Sequence, residues 1–313
     1  MRALARDALA AGAVGLSTGT YYPPAAAATT EEIIAVGQPL KEFAGRYVTH
    51  MRSEEDGITA AMEESFRIGR ELGVPVIISH HKVVGPRNHG RSAETLALLA
   101  QAGERQSVCL DCYPYTASST ILQADRIALS SRVLVTWSKP HPEFAGMELA
   151  QAAKELGVSL EQAVAALSPA GAIYFSMDEA DVQRILRFDA TMIGSDGLPH
   201  DAKPHPRLWG TFPRVLGHYC RELGLFPLET AVYKMTGLPA RNFGLKDRGQ
   251  LRPGYWADIT IFDAGEIGDA ATFDMPTLTA RGIDCVIVNG VPVWREGRST
   301  GARSGRVLRG GAA

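Results

Sequence analysis

Short apolar runs alternate with longer stretches of helical periodicity along most of this chain. Three runs end in an imidazole or a carboxylate: Arg46-Tyr47-Val48-Thr49-His50, Val76-Ile77-Ile78-Ser79-His80 and Met192-Ile193-Gly194-Ser195-Asp196. Together with two further runs they predict buried strands at 13–18, 46–50, 74–80, 107–113 and 191–196. Apolar residues at helical spacing fill the intervals and predict helices near 3–11, 30–43, 58–72 and 93–102, with another near 228–236. Helix and strand alternating in this way, with β-branched strands, implies parallel βα units.

The rhythm breaks between 116 and 190. That stretch carries amphipathic helical patterns at 147–156, 160–167 and 180–188 and no strand that clearly completes the alternation, so it is expected to be a helical insertion capping the mouth of the sheet. After Gly244 the texture changes to short β segments at 258–262, 285–288 and 292–294, with turns at Arg252-Pro253-Gly254 and Asn289-Gly290. The expected fold is α/β: an incomplete (β/α)8 TIM-type barrel of about five βα units over 1–245, then a small β domain segment over 246–313 ending in a flexible tail. A closed barrel needs eight strands. Five are counted, so the N-terminal units of the barrel are expected to be missing.

Composition narrows the partners. Among 313 residues, 32 Lys and Arg are balanced by 34 Asp and Glu, which gives a net charge of −2 and no basic surface for nucleic acid. No apolar run approaches the roughly 20 residues that cross a membrane, and the first residues lack a signal-peptide layout, so a cytoplasmic location is expected. Cys109 and Cys112 have the spacing of a redox pair but fall within a strand, which favours buried structural thiols.

In a barrel of parallel strands the C-terminal ends share one mouth, where active sites lie. His50, His80 and Asp196 are therefore expected to converge there, and two neutral imidazoles with a carboxylate suit zinc. Each has a structural alternative: a hydrogen-bonded histidine, or a turn carboxylate ahead of Gly197. His81 points to the opposite face if its strand continues. His200 and His205 sit on the loop after Asp196, where histidines are usually solvated.

The run from Ile193 to His200, continued by Pro204-His205-Pro206-Arg207-Leu208-Trp209-Gly210-Thr211-Phe212-Pro213-Arg214, resembles the N-acyl-D-amino-acid deacylases (D-aminoacylases) of the amidohydrolase superfamily. So do Asp111-Cys112-Tyr113-Pro114-Tyr115-Thr116-Ala117-Ser118-Ser119, Gly15-Leu16-Ser17-Thr18-Gly19 and the segment Gly249 to Asp258. The resemblance implies metal-assisted hydrolysis of the N-acyl amide of a small-molecule N-acyl-D-amino acid. It implies Zn2+ bound by an early cysteine and by two histidines matching His50 and His80, a catalytic aspartate matching Asp196 that also serves a second, weaker metal position, and substrate contacts matching Tyr113, Ser119 and Arg207.

The sequence departs from that pattern by having no His-x-His motif and no cysteine before Cys109. A truncated chain of impaired activity is the resulting expectation, with a missing N-terminal half or self-association as its partner. Two alternatives stand beside it. One is a cyclic-amide amidohydrolase with a metal-bridging lysine, disfavoured because strand 13–18 ends without lysine; the other is a non-catalytic remnant or the second half of a split enzyme.

Overall fold

The five apolar runs pair as one parallel sheet in the computed structural model of the chain, which describes residues 1–310. The strands are β1 (Gly15–Gly19), β2 (Arg46–His50), β3 (Val76–Ile78) and β4 (Val108–Cys112), then β5 (Ala117–Ile121), β6 (Val133–Ser138) and β7 (Ala170–Phe175) in an excursion, and β8 (Thr191–Ile193). The parallel sheet runs β1-β2-β3-β4-β8. The helices are α1 (Arg2–Ala10), α2 (Thr30–Gly37), α3 (Ile58–Leu72), α4 (Ser92–Gly103), α5 (Leu149–Leu156), α6 (Leu160–Leu167), α7 (Glu179–Arg187), α8 (Arg207–Arg214), α9 (Leu228–Met235) and α10 (Gly237–Phe243). A π-helical stretch, Val215–Glu222, follows α8.

Helix α3 shows why the elements form. Ile58, Met62, Phe66, Gly69 and Leu72 make one buried stripe at three- and four-residue spacing, and Gly73 stops the helix in the left-handed conformation (φ 66°) that L side chains avoid. A Cβ on Gly69 would collide with Val76, so this glycine lets α3 lie directly on β3.

The sheet is apolar on both faces. Tyr47, Val76, Ile78, Leu110, Cys112 and Ile193 belong to the main core with the helices, whereas Ile77, Cys109 and Met192 pack on Leu238 of α10. Strand alternation thus puts Cys109 and Cys112 on opposite faces, where both are buried free thiols.

Two expectations need correction. The segment 116–190 is not simply helical, because β5, β7 and β6 form a three-stranded antiparallel sheet covered by α5 and α6. Two of its strands escaped the pattern because they open on small residues, Ala-Ser-Ser-Thr-Ile and Ala-Gly-Ala-Ile-Tyr-Phe; β6, Val-Leu-Val-Thr-Trp-Ser, carries an ordinary strand signal that sequence reasoning missed. Moreover α7 is not part of the excursion. It packs on α4, β4 and β8 and makes the crossover into the last parallel strand, its N-terminus capped by the Asp178 carboxylate, which accepts from the amides of Ala180 and Asp181 at 2.9 and 3.2 Å.

The second correction concerns the tail. Strands β9 (Ile259–Phe262), β10 (Ile283–Val288), β11 (Val291–Arg295) and β12 (Arg298–Ser299) form a four-stranded antiparallel sheet, with Asn289-Gly290 turning between β10 and β11 at φ 49° and 82°. Beyond it the chain is laid down rather than loose: Asn289 Nδ2 donates to Ser304 O at 2.6 Å, Arg306 lies 4.4 Å above the Trp256 ring, and Gly310 N donates to Gly12 O at 2.8 Å. Composition shows glycine and arginine there but not the surface that receives them. Residues 311–313 lie outside the description. Among the described residues no helix is long and apolar enough to cross a membrane.

Candidate active site

The C-terminal ends of β2, β3, β4 and β8 deliver the expected side chains to one place. His50 is the last residue of β2, His80 follows β3, Tyr113 follows β4 and Asp196 follows β8. His80 and Asp196 both have positive φ, 38° and 47°. A non-glycine residue held there costs on the order of 1–3 kcal/mol and persists only where its surroundings over-determine it. Asp111 does so for His80: its Oδ1 accepts the His80 amide at 2.9 Å and its carbonyl accepts the His81 amide at 2.7 Å. A Cβ on Gly194 would sit 2.8 Å from the same Oδ1, so the approach to Asp196 is threaded past this carboxylate. Burial pushes the Asp111 carboxyl above its ordinary range.

The two histidines meet. His50 Nδ1 lies 2.9 Å from His80 Nε2. Burial pulls His50 down to about 3, so its ring is neutral with a lone pair free. Glu54, which sequence reasoning missed, completes a metal-type cluster: its Oε1 is 3.1 Å from His80 Nδ1 and its Oε2 is 3.9 Å from His50 Nε2. Lys82 forms a buried ion pair with Glu54 and donates to the His80 carbonyl at 2.8 Å. Burial alone would raise Glu54, but Lys82 and the histidines hold it well below the usual carboxylate range; burial also lowers the Lys82 ammonium, against the pull of Glu54. Glu54 and Lys82 both face His80 Nδ1, and Nε2 is the nitrogen left toward His50. His81 turns away, its Nε2 2.9 Å from Thr95 Oγ1 of α4; since β3 ends at Ile78 and His80 has positive φ, the turn and not strand alternation directs it.

A cavity of about 110 Å³ opens beside this cluster, with His50, His80, Tyr113, Ser119 and Asp196 in its wall. Arg207 lies behind them, 1% exposed: Nη2 donates to Ser119 O at 3.2 Å, and the guanidinium stacks 4.6 Å above the Tyr113 ring. Its Nη1 is 2.8 Å from Asp196 Oδ2, an ion-pair contact without hydrogen-bond alignment, so Nε and Nη1 keep unpartnered N–H groups. Tyr113 OH, Ser118 Oγ, Ser119 Oγ, His50 Nε2 and Glu54 Oε2 are likewise buried without partners. Asp196 thus stands nearer the guanidinium than the imidazoles, and among the described residues the carboxylate grouped with both histidines is that of Glu54.

Other residues were not foreseen. Arg126 brings a buried guanidinium to the wall itself, its Nε donating to Tyr21 OH at 2.8 Å. On the loop after Asp196, His200 is exposed as expected, but His205 is buried, 1% exposed, contrary to the expectation of a solvated ring. Nothing in the local sequence separates these polar positions from solvated ones. Chemically, the cavity has lone pairs and carboxylates on one side, suited to a cation, and guanidinium, phenol and hydroxyl donors on the other, suited to a carboxylate.

Comparison with known proteins agrees with this geometry. The amidohydrolase family model matches residues 163–294. D-aminoacylase of Alcaligenes xylosoxydans xylosoxydans is 62% identical over 308 residues, covering 98% of this chain and 64% of that protein. N-acyl-D-aspartate deacylase of the same organism is 55% identical over 315 residues, covering 100% of this chain and 63% of its own length. The structure of N-acyl-D-glutamate deacylase from Bordetella bronchiseptica, complexed with zinc and a phosphonate mimic of the tetrahedral intermediate, aligns with TM-score 0.95 at 48% identity over 98% of this chain and 65% of that one. The chain therefore spans just under two thirds of the length of these relatives. With such identity over nearly the whole of its length, this chain belongs to the D-aminoacylase family of the amidohydrolase superfamily.

Proposed function

We propose that this chain supplies the metal-binding histidines and the carboxylate pocket of a hydrolase acting on the linear amide of N-acyl-D-amino acids. The observation that carries the reading is the set of buried, unpartnered polar atoms at one cavity, from His50, Glu54, Tyr113, Ser118 and Ser119, with the Arg207 donors behind them. In a folded protein such atoms are normally satisfied, and a ligand is what satisfies them here.

The donor set fits zinc. Two nitrogens on a tetrahedral zinc at 2.0–2.1 Å stand about 3.3 Å apart. His50 Nδ1 and His80 Nε2, at 2.9 Å, need only a small opening to reach that separation. His50 and His80 would hold the ion, with Asp196 reaching it across the cavity. When bound, zinc polarises the acyl carbonyl and makes water a competent nucleophile near neutral pH. Asp196, with about a third of its side chain exposed to the cavity, takes the water proton and returns it to the departing nitrogen. Arg207 binds the amino-acid carboxylate through its free Nε and Nη1 donors, with Tyr113 OH and Ser119 Oγ beside it. The cyclic-amide alternative is not favoured, since the relatives named above act on linear N-acyl amides.

We also propose that the parallel sheet is five strands of a (β/α)8 barrel. β1 and β8 are its free edges, and the third of the relatives' length that the chain does not span would pair with them and complete the metal site. In the test, the chain is supplied with zinc and with the remaining third of the Alcaligenes D-aminoacylase in trans. Release of D-methionine from N-acetyl-D-methionine is expected, lost in Asp196→Ala, and at most negligible without the added segment. No turnover in the complemented complex, or equal turnover of the L-enantiomer, would overturn the reading.

A further inference from the structure

The loop 197–206 that follows Asp196 has no regular structure until α8, yet one of its side chains is locked. The His205 ring is bonded at both nitrogens: Nε2 donates to the carbonyl of Ala117, the first residue of β5, at 3.0 Å, and Nδ1 accepts the backbone N–H of Arg207, the first residue of α8, at 3.0 Å. Neither partner can exchange roles, because a carbonyl only accepts and an amide only donates. The ring is therefore the neutral Nε2–H tautomer. It is wedged between Tyr115 and Phe273, each with its ring centre 5.1 Å away and nearly perpendicular, so it cannot turn over without opening the packing. Arg207 reaches the same strand a second time at its tip, where Nη2 donates to Ser119 O.

We infer that His205 is a positioning residue for Arg207: its locked imidazole fixes the Arg207 backbone to β5, so that the guanidinium is presented beside Asp196 and Tyr113. The structural statement stands by itself; the consequence for substrate rests on the proposed deacylase reading. Burial and the neighbouring Arg207 charge both hold the ring well below the usual histidine range, in keeping with a neutral imidazole.

The two contacts can be separated by substitution, because the Asn carbonyl stands where Nδ1 does and the Gln amide where Nε2 does. Long-range 1H–15N spectra of the 313-residue chain should show His205 as the neutral Nε2–H form. An Nδ1–H or charged ring would overturn the inference before any variant is made. In His205→Gln, hydrogen exchange of the Arg207 amide should rise by about tenfold, the scale of one buried backbone hydrogen bond, while amides of β3, β4 and β7 stay at wild-type rates. His205→Asn should restore most of that protection. Exchange at Arg207 that ignores both variants, or rises only together with the whole sheet, would refute the positioning role. In the zinc-loaded, complemented complex, His205→Gln should raise KM for N-acetyl-D-methionine about tenfold with kcat changed far less. An unchanged KM there would sink the inference. If the wild-type complex shows no turnover while the exchange results hold, the deacylase reading fails and the positioning of Arg207 stands.

Discussion

Replacing Lys82 by methionine strands a carboxylate. Glu54 and Lys82 are 3% and 6% exposed at their side chains, and among the described residues the ammonium is the only full positive charge bonded to that carboxylate. Removing one partner of such a pair costs about 3–5 kcal/mol, because the remaining charge has lost both water and its counter-ion. Unfolding entropy of about 2.1 cal/mol/K per residue makes roughly 0.66 kcal/mol/K for a chain of 313 residues, so Lys82→Met should lower Tm by about 5–8 °C. Methionine fills much the same volume, so little of the loss comes from a cavity. The assay is thermal and urea unfolding of the metal-free chain, run as a cycle with Glu54→Gln and the double variant. Glu54→Gln in the Lys82→Met background should recover at least about 2 kcal/mol, since no buried charge remains to be compensated. A Lys82→Met protein within about 2 °C of wild type, or a coupling energy below about 1 kcal/mol, would show that the pair is solvated and that the buried network is wrongly drawn.

Three further outcomes are expected. Burial holds the His81 pKa at about 4, so the unfolded chain binds the extra proton first: stability is full above pH 6.5 and falls as pH drops toward 4, by about 3 kcal/mol over the window. His81→Gln should flatten that part of the curve in urea titrations, and identical slopes for both proteins would contradict it. Glu54→Gln should weaken zinc binding about 10–100-fold in competition titrations, as loss of a carboxylate behind a ligating histidine does; unchanged affinity would mean that His80 is oriented by something else. Finally, among the described residues β1 and β8 each leave one edge of the parallel sheet without a strand neighbour, so the chain expressed alone should self-associate. A single monomeric boundary in sedimentation velocity, with one cooperative melting transition, would require another element to cover those edges.

How much of this was legible in the sequence depended on distance along the chain. Strand β3 could be read because a strand buried on both faces is an unbroken apolar run, β2, β4 and β8 because short apolar and β-branched runs stand between helical stretches, and α3 because its buried stripe repeats within one helix. The same locality made His50, His80 and Asp196 readable, since a strand's last residue points to the mouth whatever the rest of the chain does. The β5-β7-β6 sheet was harder to read: β6 alone has a clear strand pattern, whereas β5 and β7 open on small residues and their pairing is decided by the packing of α5 and α6. Buried polar groups were hidden for a stricter reason. A charge or imidazole leaves water only where partners compensate it, and Lys82 is 28 residues from Glu54 and Ala117 is 88 from His205. The sequence by itself therefore determined the parallel sheet, its helices and the metal-type ends of its strands. Only the tertiary structure decided which polar side chains were buried around them, because burial of a polar group is a property of a pair and the pair is made by the fold.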